Sequence, residues 1–198
     1  FAKVMDMAEY ARREINEIGG YYAYGKELVN GTSVYDYDVT KLSVHTLGLG
    51  LAGIEVYDLL RDEYDIQIEF GDVSNILAYI SIGDRLQDIE RLVGALADIA
   101  RIYKKDSTGM LSGEFISPIV ARSPQEAFYS AKESLPVEKT EGRISGEFVM
   151  CYPPGIPILA PGEMITDEII QYILYVKEKG CSMQGTEDKS VNKLKVLV

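Results

Sequence analysis

Histidine, cysteine and uninterrupted apolar sequence are all scarce in this chain. One histidine, His45, and two cysteines, Cys151 and Cys181, occur among 198 residues. A Cys/His zinc site or a Ser-His-Asp triad has too few parts here, and no metal is expected. The cysteines stand far apart with no other ligand type beside them, and read as two reduced thiols in a cytoplasmic protein. No apolar run approaches the roughly 18 residues that cross a bilayer, and no signal-peptide pattern opens the chain. Basic residues are outnumbered 20 to 31, for a formal net charge of -11. That balance argues against nucleic acid, whose binders release counterions with clustered Lys and Arg.

Proline is absent from the first 117 residues, and all seven prolines lie between Pro118 and Pro161. A proline-free stretch can run as continuous helices and strands, whereas Pro153, Pro154, Pro157 and Pro161 impose extended or turning backbone. The stretch Asp106-Ser107-Thr108-Gly109-Met110-Leu111-Ser112-Gly113 has linker composition. The expected division is therefore a first domain over residues 1–106, a linker over 107–122 and a second domain over 123–198. At 46% hydrophobic and 26% charged, the chain has ordinary globular proportions and can bury a core.

Hydrophobic spacing predicts the elements. Val4, Ala8, Ala11, Ile15 and Ile18 step like a helix that Gly19-Gly20 would end. Residues 41–47 alternate as a strand, 53–64 read as a helix, 66–70 as a second alternating strand, and 76–82 as a third after a short turn. Asp84 and Gln87 form a capping box for a helix with the stripe Leu86, Ile89, Val93, Leu96, Ala100 and Tyr103. The order strand-helix-strand-strand-helix predicts an α+β domain, a mainly antiparallel sheet with helices on one face. The second domain opens with the capping box Ser123-Pro124-Gln125-Glu126. It continues with a strand over 144–150, a stiff proline-rich run, a helix capped by Thr166, and a last strand over 193–198. This too is a small α+β domain. The fourteen tyrosines read as packing or interface residues.

Gly48-Leu49-Gly50-Leu51-Ala52-Gly53 matches the dinucleotide fingerprint G-x-G-x-x-G, and Glu69 ends the next strand about twenty residues on. Against it, the second and third strands are joined by about five residues, enough for a hairpin but not for a right-handed crossover. A dinucleotide-binding oxidoreductase domain on these glycines stays open as one alternative, and a non-catalytic assembly module as another.

Three words in the second domain carry a family resemblance. They are Gly142-Arg143-Ile144-Ser145, then Tyr152-Pro153-Pro154-Gly155-Ile156-Pro157-Ile158, then Pro161-Gly162-Glu163-Met164-Ile165-Thr166. With Ser123-Pro124-Gln125-Glu126-Ala127-Phe128 and Thr40-Lys41-Leu42, they resemble the C-terminal region of the bacterial pyridoxal-phosphate-dependent ornithine/lysine/arginine decarboxylases. The family usually has proline before that threonine, where this chain has Val39. The likeness covers most of residues 36–170, and Lys195-Val196-Leu197 resembles the closing strand. It implies the small aminotransferase-like domain of a fold-type-I decarboxylase followed by the family's C-terminal domain.

The family's cofactor lysine directly follows a histidine in a larger N-terminal domain. Here His45 is followed by Thr46, so no cofactor-binding or catalytic residue is expected in this chain. The resemblance implies that pyridoxal phosphate is bound by that other domain, and opening on Phe1 suits a portion of a longer protein. It also implies a cytoplasmic homodimer or higher homo-oligomer making a polyamine precursor and CO2 from arginine, lysine or ornithine. This chain would contribute substrate recognition and dimer structure, and would be inert alone. Glu69 matches the acid ending the family's strand before the hairpin, implicated in holding the substrate's distal cation. The alternation of residues 66–70 places it on the face opposite the core. Glu163, confined by prolines and Gly162, is a weaker substrate-binding candidate, with the helix dipole after Thr166 as its structural explanation. Arg143, Tyr152 and His45 read as structural.

Overall fold

The computed structural model describes residues 1–107 and 116–198. Much of the stretch expected to link two domains lies outside the described residues. Contacts within the chain fall into two compact units, Phe1–Ser112 and Gly113–Val198.

In the first unit, α1 (Ala2–Glu17) leads into β1 (Tyr22–Ala23), β2 (Lys41–His45), α2 (Gly53–Tyr64), β3 (Phe70–Gly71), β4 (Asn75–Tyr79) and α3 (Leu86–Ile102). The strands form one sheet in the order β1-β2-β4-β3, antiparallel at every pairing. Alternation assigns the faces. Leu42 and Val44 of β2 and Ile76 and Ala78 of β4 point inward and share one core with Ala11 and Ile15 of α1, Val56 and Leu60 of α2, and Leu96 and Ile99 of α3. The three helices therefore lie on one side of the sheet, as the apolar spacing predicts.

Two elements differ from expectation. The alternation over 66–70 suggests one strand with Ile66, Ile68 and Phe70 facing inward, yet only Phe70 and Gly71 pair with β4. The reason lies at Gly71. A Cβ there would sit 2.4 Å from the Gly53 carbonyl oxygen, and one on Gly53 would sit 2.0 Å from that of Asn75. The first turn of α2 presses on the hairpin backbone, so glycine must take the inward position and Phe70 turns to the other face beside Leu77. The second difference is the α3 cap. Asp84 accepts the Ser81 N–H at 2.6 Å and holds the preceding turn, while the Asp88 carboxylate accepts the N–H of the N-cap residue Arg85 at 2.9 Å.

The second unit contains α4 (Pro124–Tyr129), β5 (Lys132–Pro136), β6 (Val149–Tyr152), β7 (Ile156–Leu159), α5 (Asp167–Glu178), β8 (Ser182–Gln184) and β9 (Lys193–Leu197). β5 pairs with β9, and β6 is the central strand of the sheet β7-β6-β8. Ser123 accepts the Glu126 N–H and Thr166 the Ile169 N–H, so both predicted caps form. The strand expected over 144–150 begins only at Val149. Upstream, Ile144 and Ser145 make single bridges to Met164 and Val196, and the chain bends at Glu147. The buried Glu147 carboxylate accepts the N–H groups of Glu187 and Lys195 at 2.9 and 2.8 Å. The core gathers Val149, Leu159, Ile169, Ile173, Leu194 and Val196.

The loop before β9 is organised by Asp188. Its carboxylate accepts the Ser190 hydroxyl at 2.6 Å and the N–H groups of Ser190, Asn192 and Lys193 at 2.9–3.1 Å. The Ser190 hydroxyl and these amides hold the acid down at a pKa of about 2.

Two outcomes follow. Gly53→Ala should destabilise the first unit by about 1–3 kcal/mol, because backbone rather than a flexible side chain must yield, and urea unfolding of the variant would show a lowered midpoint. Asp188 has a depressed folded pKa, so its stabilisation is full above the unfolded value of about 3.9 and is lost as pH falls toward about 2. The stability difference between the chain and Asp188→Asn, measured by denaturation, should be constant at neutral pH and close over that acidic window.

Candidate functional site

Glu69 lies at the edge of the sheet, where its backbone N–H donates to the Leu77 carbonyl at 3.0 Å. Its side chain is exposed while that of its neighbour Ile68 is buried in the core shared with the helices, as the alternation expects. There it lines a groove of about 490 Å³ between the hairpin and α3. Ile66, Ile68, Ile80 and Leu92 give the groove apolar walls, and Asp65, Asp84, Asp88 and Arg91 stand on its rim.

The four acids are not equivalent. Asp84 and Asp88 are engaged by backbone N–H groups, and Asp65 lies 3.8 Å from Arg91. Glu69 alone has a side chain with no hydrogen bond or ion pair among the described residues. An exposed carboxylate over an apolar wall can take an ammonium or guanidinium while the wall covers methylenes.

Glu163 is differently placed. Its carboxylate accepts the Ala160 N–H at 2.8 Å, and its carbonyl accepts the Ser145 N–H at 2.8 Å, so it closes its own turn. The start of α5 is served instead by Thr166, with Asp167 and Glu168 in the first turn. Glu69 and Glu163 belong to different units.

The G-x-G-x-x-G word packs against protein. A Cβ on Gly48 would sit 2.7 Å from the Gly20 carbonyl oxygen, and one on Gly50 2.5 Å from that of Lys105. Gly53, as described, lies against Asn75. At the start of α2, Glu55 accepts the Ala52 N–H and the Asp72 carbonyl accepts that of Ile54, both at 2.8 Å. The space and the amides a pyrophosphate would use are taken, and the sheet is antiparallel. The dinucleotide alternative is thereby overturned.

His45 belongs to a polar network that sequence reasoning missed. Its Nδ1 lies 3.2 Å from Asn75 Oδ1, which also accepts the Tyr24 hydroxyl at 3.2 Å. Asn75 is held in turn by Asp72, whose carboxylate accepts the Asn75 backbone N–H at 2.6 Å. The turn word Asp72-Val73-Ser74-Asn75 was the available signal. Arg143 reaches Glu133 and the Leu197 carbonyl, both at 2.7 Å, which ties β5 to β9. Buried Arg12, also missed, donates to the carbonyls of Tyr24 and Val39 at 2.5 and 3.0 Å and pins both ends of the loop between them.

None of the lysines is buried, and the lone histidine is not followed by lysine. The described residues thus offer no fit for a Schiff-base cofactor. They also hold no cluster of three or more His, Cys, Asp or Glu that could bind a metal. No described helix is long and apolar enough to cross a membrane.

Residues 112–189 match the family of Orn/Lys/Arg decarboxylase C-terminal domains. The chain is 38% identical over 198 residues to the arginine decarboxylase of Bacillus subtilis (strain 168), and 39% identical over 199 residues to that of Halalkalibacterium halodurans. Each alignment covers 98% of this chain and 40% of the relative, so the chain spans two-fifths of the length of these curated proteins. Among solved structures, the lysine decarboxylase of Francisella novicida matches 100% of this chain and 40% of its own, with a TM-score of 0.69 at 18% identity. That likeness concerns the fold, and agrees with the α+β architecture expected from the apolar pattern. Residues 112–189 belong to the family of Orn/Lys/Arg decarboxylase C-terminal domains, and the chain as a whole is similar to two-fifths of the arginine decarboxylases it aligns with.

Proposed function

We propose that this chain is the C-terminal part of a pyridoxal-phosphate-dependent decarboxylase of basic amino acids, with arginine the leading substrate and lysine and ornithine its rivals. The observation that carries the reading is the unpaired Glu69 carboxylate in an apolar-walled groove, in a chain whose 38–39% identical relatives are named arginine decarboxylases. A guanidinium presents parallel N–H donors to a carboxylate, and charged hydrogen bonds of this kind contribute about 1.5–3 kcal/mol each.

Pyridoxal phosphate, when bound, supplies the electron sink for loss of CO2. The residues of this chain do not fit it, so its site belongs to the remainder of a longer protein, and no chemical step is assigned to groups here. The contribution of this chain is recognition: Glu69 takes the distal cation and the groove wall covers the methylenes. Homodimeric assembly and a cytoplasmic location go with this reading.

In the complete enzyme, Glu69→Gln keeps the shape of the side chain and removes its charge. The KM for the basic substrate should rise about ten- to a hundredfold while cofactor absorbance stays unchanged; an unchanged KM rejects the role. The 198-residue chain alone, mixed with pyridoxal phosphate and arginine, should release no CO2 in a manometric or radiometric assay. Turnover by the isolated chain would overturn the division of labour.

A further inference from the structure

The two cysteines converge although they are far apart in sequence. Cys151 and Cys181 are 6% and 9% exposed and are not joined in a disulfide. Cys151 of β6 is the register partner of Met183 of β8, so the two side chains stand together on one face. Cys181 precedes Met183 by two residues and so shares that face. The burial pattern agrees, with Cys181 buried, Ser182 exposed, Met183 half-buried and Gln184 exposed. Three sulfur-bearing side chains are thus gathered on one patch of the sheet, with Cys181 on the diagonal from Cys151.

That diagonal decides which chemistry fits. Diagonal neighbours across antiparallel strands are about 7–8 Å apart at Cα and somewhat less at Cβ. A disulfide needs Cβ atoms only about 3.5–4.5 Å apart. Two thiolates sharing one ion need less approach, because metal–sulfur bonds of about 2.3 Å put the sulfurs about 4–4.6 Å apart. The donor set is sulfur only, and no cluster of three or more His, Cys, Asp or Glu among the described residues competes for an ion. Two thiolates with one thioether select a soft ion. The Cys181 N–H donates to the Val176 carbonyl at 3.1 Å, which fixes the backbone leading into β8 against the last turn of α5.

We propose that Cys151, Cys181 and Met183 form a binding site for a soft monovalent cation of the Cu(I) type. Binding converts two thiols and one Cu(I) into a bis-thiolate complex, releases two protons and changes no oxidation state. The thioether of Met183 adds a neutral third ligand.

The test is anaerobic titration of the reduced 198-residue chain with Cu(I) in competition with bicinchoninate. One equivalent should be withdrawn from the chelator, with a thiolate-to-copper absorption in the near ultraviolet. Cys151→Ser and Cys181→Ser should each abolish withdrawal, and Met183→Leu should weaken it. Should either serine variant lose its far-ultraviolet circular dichroism, protection of both thiols from N-ethylmaleimide by Cu(I) in the unaltered chain replaces it as the readout. No withdrawal, withdrawal retained by the Cys151→Ser/Cys181→Ser double variant, or unprotected thiols would overturn the site. Diamide closing a Cys151–Cys181 disulfide in the folded chain would overturn its diagonal geometry.

Discussion

The backbone contact between the start of α2 and the β3–β4 hairpin is the constraint on which the first unit depends. Gly53 and Gly71 meet with no room for a Cβ on either, and the Asp72 carbonyl accepts the Ile54 N–H at 2.8 Å. Shifting the strand by one residue would replace Gly71 with a side chain that cannot fit, so the register is fixed sterically rather than by apolar alternation alone. Two placements follow. Glu69 falls one residue outside the paired segment, at the mouth of the groove against α3. Asn75 falls opposite His45, where its amide meets the imidazole. The glycine word that imitates a nucleotide fingerprint therefore brings backbone close to backbone, the same physical use of glycine directed at a different neighbour.

The second unit solves a similar problem with a buried charge. A carboxylate taken from water is costly unless its oxygens are hydrogen-bonded. Glu147 meets that demand by accepting one amide on each oxygen, from Glu187 and Lys195. The bend upstream of β6 is thereby tied both to the loop after β8 and to β9. Arg143 adds a second tie through the Leu197 carbonyl, and Asp188 orders the turn that delivers β9. Three charged residues thus stitch together a unit whose strands have five residues or fewer.

Local chemistry was legible in the sequence where one residue type has one stable use. Ser123 with Glu126 and Thr166 before an apolar helix form as their spacing demands, and the stripe of α3 holds at Ile89 and Leu96, while Leu86 is exposed and Leu92, Ala95 and Ile99 complete the buried face. Legibility failed where two local solutions compete. Asp84 and Asp88 can each accept an N–H near the start of α3; the turn at Ser81 takes the first and leaves the second for the cap. It failed again where partners are distant, since nothing near Glu147 announces amides 40 and 48 residues away. Glu69 was legible as a candidate through the family word around it. The groove beside it was not, because one wall comes from α3, an element that local alternation around Glu69 cannot announce.

Charge alone does not single out Glu69, because the chain carries 31 acidic residues. What distinguishes it in its groove is that its neighbours are already engaged. A carboxylate that accepts backbone amides loses those bonds if it turns to a ligand, whereas an unpartnered one exchanges only water for the ligand's N–H donors. The apolar wall adds about 0.8 kcal/mol for each methylene it covers, a gain available to a basic amino acid with a hydrocarbon stem and unavailable to a bare cation. A surplus of acid over the rest of the surface raises the local concentration of any cation. The pairing of one unengaged carboxylate with a greasy wall then favours a cation carried on an aliphatic chain.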